Sequence, residues 1–77
     1  MREWLKNSRT EKKLTMKELG LKLGVSESYY CSIEAGTRQK KMDLTLVAAL
    51  SSALDLPIAV IVQKESEYLE TVRVAES

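Results

Sequence analysis

The 22 residues "TMKELGLKLGVSESYYCSIEAG", from Thr15 to Gly36, hold two short helix signals with a turn between them. Thr15 and Glu18 form a T-x-x-E capping box, in which hydroxyl and carboxylate satisfy orphan amides at a helix start. Leu19 and Leu23 follow at helical spacing, so a helix is predicted over 16–23. Gly24 stops it, because glycine takes the left-handed conformation needed past a helix end. Ser26 caps a second helix, Tyr30 and Ile33 give it one narrow apolar stripe, and Gly36 closes it. The stretch from Gly24 to Gly36 is too regular for a loop. The second helix is too polar to be buried all round, and that calls for a function.

The flanks continue the helical pattern. "REWLKNSRTEKK" is rich in helix formers, with Leu5 as its main apolar contact, and should end near Lys12–Lys13. Trp4 is either a core anchor of that helix or a surface contact. "TRQKK" is a basic connector. Asp43 suits the cap of a fourth helix, whose apolar face is Leu46, Leu50, Ala53 and Leu54. Asp55 can adopt the left-handed stop. "PIAVIVQKE" is apolar on every side and β-branched, so periodicity leaves helix and strand open. A helix is favoured by the helical elements before it and by Pro57 at its start. The tail "VRVAES" is expected to fray.

Composition narrows the function classes. With 77 residues the chain is one small domain, modest in the surface it can bury, and oligomerisation would be one remedy. It has one cysteine and no histidine, which excludes an intrachain disulfide and argues against a Cys/His zinc site. Without histidine, and with no other nucleophile set beside a base, no catalytic residue, cofactor or metal is expected. Cys31 is expected as a small, partly buried packing residue. No apolar run approaches a membrane span, and the opening "MREWLKNSRT" is polar, so a cytoplasmic protein is expected. Net charge is +1, but unevenly placed. Residues 1–41 carry ten Lys/Arg against five Asp/Glu, and residues 42–77 carry two against six. The first part therefore suits a polyanion and the second does not.

From "LKNSRTEKKLTMKELGLKLGVSESYYCSIEAGTRQ" to "LVAALSSALDLPIAVI", about residues 5 to 62, the sequence resembles the Cro/repressor-type helix-turn-helix family, often called the Xre family. The resemblance rests on the spacing of "LTMKELGLKLGVS", on the "IEAG" ending of the second helix, and on the order of the elements. It implies an all-α, five-helix DNA-binding domain over residues 1–63, with 64–77 as a partly helical extension.

The resemblance also implies roles. The helix from about Ser26 to Ala35 would be the recognition helix in the DNA major groove. Glu27, Ser28 and Ser32 match the positions that reach base edges, and Tyr29 is either a further contact or an exposed ring. Ser26 matches a phosphate contact, as do Arg38, Lys40 and Lys41 in the loop beyond. Arg9 and Glu34 match a structural salt bridge. Gly20 matches a position kept small for helix packing. Met16 stands where the family has a glutamine that clamps phosphate, and Lys17 is the available substitute. Ala35 replaces a usual asparagine.

The last apolar stretch departs from the family, with Ala59 and Val60 where polar residues are usual. It is expected either to pack wholly within its own chain or to face a second copy. The second copy is favoured, with Ile58, Val60, Ile61, Tyr68 and Leu69 as contacts. The partner implied is double-stranded DNA, bound by a homodimeric repressor-like regulator of bacterial or phage type on a palindromic operator. The rival reading is an antitoxin or other module that uses the fold to bind a protein partner.

Overall fold

The computed structural model describes the backbone of residues 1–76 and the side chains of residues 1–73. Five helices follow in order: α1 (Glu3–Glu11), α2 (Met16–Leu23), α3 (Glu27–Ala35), α4 (Leu44–Leu54) and α5 (Ile58–Glu76). No strand occurs among the described residues. The fold is all-α, with the five helices that the sequence implied.

The starts of α2, α3 and α4 are each set by a local side chain. Thr15 Oγ1 accepts from the Glu18 amide at 3.0 Å while Glu18 Oε1 accepts from the Thr15 amide at 2.9 Å. The bond from the Thr15 amide, and next the Thr15 hydroxyl beside it, hold the Glu18 carboxyl below the ordinary carboxylate range. Ser26 caps α3 by accepting from the Tyr29 amide at 3.0 Å, and Asp43 caps α4 by accepting from Leu46 at 2.7 Å. The stops are left-handed residues: Gly24 at φ 76°, Gly36 at φ 89° and Asp55 at φ 54°.

The core gathers one face from every helix: Leu5, Leu19, Tyr30 and Ile33, then Leu46, Val47, Leu50, Leu54 and Ile61. Burying a leucine or isoleucine contributes roughly 1.5–3 kcal/mol, so the α4 leucines are the main anchor. Trp4 is half-buried against this core while its indole N–H donates to Glu65 at 3.2 Å. Gly20 lies where α2 crosses α3. A Cβ there would stand 3.2 Å from the Val25 carbonyl oxygen, so the crossing leaves little room for a side chain.

α5 differs from its sequence reading. It is one continuous helix that passes residue 63 without a break and into the partly helical extension expected from 64 onwards. Glu65 and Tyr68, in that extension, pack back against Arg2 and join it to the domain. The helix runs to Glu76, so it includes most of the tail expected to fray; Ser77 lies outside the described residues. Ile61, expected at an intermolecular contact, is fully buried in its own core. The period of α5 turns Ile61 inward and leaves Ile58 and Val62 about half exposed. No single helix among the described residues is long and apolar enough to cross a membrane.

Candidate nucleic-acid interface

α2 and α3 pack closely against each other across the Gly24 turn. The Val25 amide donates to the Gly20 carbonyl at 2.9 Å, which closes the end of α2 before Ser26 starts α3. Tyr30, Ile33 and Glu34 face inward and are buried. Glu27, Ser28, Cys31 and Ala35 are exposed, with Ser32 half-buried beside them. The outward face of α3 is therefore built almost wholly from small side chains, which let a helix backbone approach a surface closely.

α3 is held from beneath by a buried ionic cluster. Arg9 donates from Nε to Glu34 Oε2 at 3.0 Å and from Nη2 to Glu34 Oε1 at 3.3 Å. Its Nη1 donates to the Leu14 carbonyl at 2.9 Å, which ties in the α1–α2 connection. The Tyr30 hydroxyl donates to Glu34 Oε2 at 2.6 Å. The hydrogen bond to Glu34 raises the Arg9 pKa, while burial, then the bond to Glu34, pushes the Tyr30 hydroxyl far above its ordinary value. Glu34 is 1% exposed, so both donors are needed to satisfy it.

The loop after α3 supplies the cations. Arg38, Lys40 and Lys41 are all exposed. The Arg38 guanidinium stands over the Tyr29 ring, 5.8 Å from its centroid. Gln39 has a left-handed backbone at φ 53°, and its side chain donates to the Tyr29 hydroxyl at 3.2 Å and accepts from the Asp43 amide at 3.3 Å. An exposed helix of small residues thus lies beside a basic loop, in the half of the chain that carries the positive charge. A helix-turn-helix family model matches residues 5–61, which takes in α1 to α4, this loop and the start of α5.

The chain belongs to the Cro/repressor-type helix-turn-helix family. No curated protein sequence matches it. The family is a DNA-binding one and is not normally enzymatic, so this chain is a DNA-binding helix-turn-helix regulator.

Within the helix-turn-helix frame, Glu27 and Ser28 lie on the exposed first turn of α3. Ser32 is on the same side, one turn on, with its hydroxyl donating to the Ser28 carbonyl at 3.2 Å. Tyr29 is half-buried rather than an exposed ring, with its hydroxyl accepting from Gln39 and its face under Arg38. Ser26 accepts the cap bond on one oxygen lone pair, which leaves its O–H free to donate. Lys17 is exposed in the first turn of α2, while Met16 is half-buried against the core. Cys31 corrects its sequence reading. It is exposed, because it lies well round the helix from Tyr30 and Ile33. That signal was available from the helical period. Gln39 and Arg2 gave no such signal, since nothing in their local sequence marks a tethering role.

Proposed function

We propose that the chain is a homodimeric, sequence-specific transcriptional repressor that occupies a palindromic operator. The observation that carries this reading is the outward face of α3, small and polar, beside a loop of three exposed cations and braced by the Arg9–Glu34 pair. α3 enters the major groove, with Glu27, Ser28 and Ser32 as base-reading residues. Tyr29 acts as a platform for Arg38. Lys17, Ser26, Arg38, Lys40 and Lys41 take phosphates, helped at Ser26 by the amides of the α3 N-terminus. α3 carries no arginine, asparagine or glutamine for bidentate readout, so DNA shape carries part of the specificity.

The dimer face is the apolar flank of α5 with the start of α4. Met42, Leu44, Val47, Val62, Leu69 and Val72 line a groove there, and Leu44 is 85% exposed. Tyr68 lines the same groove and Ile58 lies one turn before Val62 on α5, whereas Ile61 belongs to the core; Val60 is half-buried. Two copies joined on such a face would set recognition helices about one DNA turn, ~34 Å, apart. The same groove, with the acidic second half of the chain, supports a second reading as an antitoxin-like module with a protein partner.

Selection of bound duplexes from a random pool at two salt concentrations tests the proposal. Enrichment of an inverted repeat is the expected result. Salt-sensitive binding with no enriched motif would remove the operator, and no binding at either salt would favour the protein-partner reading.

A further inference from the structure

Arg2 stands just before α1 and is completely buried. A guanidinium has five N–H donors, and those of Arg2 reach three parts of the chain. Nε donates to Glu65 Oε1 at 2.9 Å and Oε2 at 3.2 Å, and Nη2 donates to Glu65 Oε2 at 2.9 Å. Nη1 donates to the carbonyl of Ile33 at 2.5 Å and of Arg38 at 3.3 Å. Nη2 also donates to the Gln39 carbonyl. The Arg2 amide adds a bond to the Glu34 carbonyl at 2.8 Å. The Tyr68 ring covers the guanidinium at 5.1 Å, and Trp4 shares Glu65 Oε1.

A buried charge must be paired and its hydrogen-bonding capacity met. Glu65 supplies the pairing. The remaining donors do something else: they fix the end of α3 and the carbonyls of two successive loop residues. One of these, Arg38, carries a cation, and the other, Gln39, immediately precedes Lys40 and Lys41. Gln39 also sits in a left-handed conformation that non-glycine residues disfavour. The loop backbone is therefore held in an uncommon shape by a side chain 36 and 37 residues away.

We infer that Arg2, oriented by Glu65 of α5, is a positioning residue for DNA binding: it pre-orders the loop so that Arg38, Lys40 and Lys41 meet phosphates without first being immobilised. This rests on the proposed placement of that loop along the DNA backbone. Arg2 itself is buried and touches no DNA. Its loss leaves the number of neutralised phosphates unchanged and adds an ordering cost to each binding event. Direct contacts behave differently, because removing one lowers the salt slope.

The test compares Arg2→Lys and Glu65→Gln with the unaltered chain, using the selected duplex, or a mixed-sequence duplex if none is enriched. Backbone order parameters at residues 38–41 of the free, unaltered chain should lie near the rigid value of about 0.85, and should fall in both variants. Affinity should drop about tenfold, the scale of ordering one residue, with the salt slope unchanged. Ala53→Gly, a helix-destabilising control in α4, should keep its affinity at temperatures where it is folded. Flexible order parameters in the unaltered free chain would overturn the inference whether or not the variants fold. So would unchanged affinity in the variants, or an equal loss in the control. The double variant Lys40→Ala, Lys41→Ala separates the underlying reading: if its slope is not reduced, the loop does not meet phosphates and both ideas fall. A reduced slope there, with Arg2→Lys binding normally, removes the positioning role alone.

Discussion

Glu34 shows how one buried carboxylate orders a surface. It accepts from Arg9 on one side and Tyr30 on the other, and all three side chains are largely or wholly inside. Arg9→Ala would leave the carboxylate with one neutral donor, and breaking a buried pair from one side costs about 3 kcal/mol. In a domain of this size that is a melting temperature lower by roughly 15 °C, read by thermal unfolding. Tyr30→Phe removes the second donor and should cost about 1–2 kcal/mol. It also carries a pH signature. The folded-state pKa of Tyr30 lies above its unfolded value, so its contribution is complete below pH ~10 and declines as pH rises beyond that. Stability of the unaltered chain should fall in alkaline solution above pH ~10, and Tyr30→Phe should flatten that fall. Arg9 and Glu34 were legible only through the family resemblance, since 25 residues separate them. Arg2 was not legible at all. An arginine beside the N-terminus of a helix ordinarily faces water, and only the return of α5 puts Glu65 and Tyr68 around it.

At the level of elements, caps and stops carried the reading. The Thr15–Glu18 box, Ser26, Asp43 and the two turn glycines are short-range chemistry, so their helices are set by residues within four positions. The glycines are not equivalent. Gly24 has a positive φ but open space around its missing Cβ, whereas a Cβ on Gly36 would fall 2.5 Å from the Tyr68 hydroxyl. Gly24→Ala should therefore cost only the backbone strain, about 1–2 kcal/mol. Gly36→Ala should cost more, because Tyr68 must also move off Arg2. Urea titration of the two variants ranks them, and equal losses would mean that Tyr68 yields freely. α5 was the element the sequence described least well. Its first half is apolar on every side, which hides the period, and its second half is fixed by contacts to residue 2 rather than by anything local. The exposure of Cys31 follows from the same helical period that buries Tyr30 and Ile33, and could have been read.

For the whole molecule, the question is what covers the apolar flank of α4 and α5. Leu44 is the most exposed large apolar residue described, and it is the first residue of α4. A carboxylate in the first turn of a helix interacts favourably with the helix dipole. Leu44→Glu should therefore leave the folded monomer as stable as before, or slightly more so, while placing a charge in the proposed interface. Val62→Glu lacks that dipole compensation, though its half-exposed site still makes it tolerable. On the dimer reading, sedimentation should show both variants as monomers at concentrations where the unaltered chain is dimeric. Affinity for an inverted repeat should fall toward that for a single half-site, because the two recognition helices no longer bind as one unit. Half-site affinity should be unchanged, since neither residue is on α3 or its basic loop. A Leu44→Glu chain that stays dimeric would move the interface elsewhere. A monomeric unaltered chain that still requires the Leu44 surface for function would assign the groove to a protein partner.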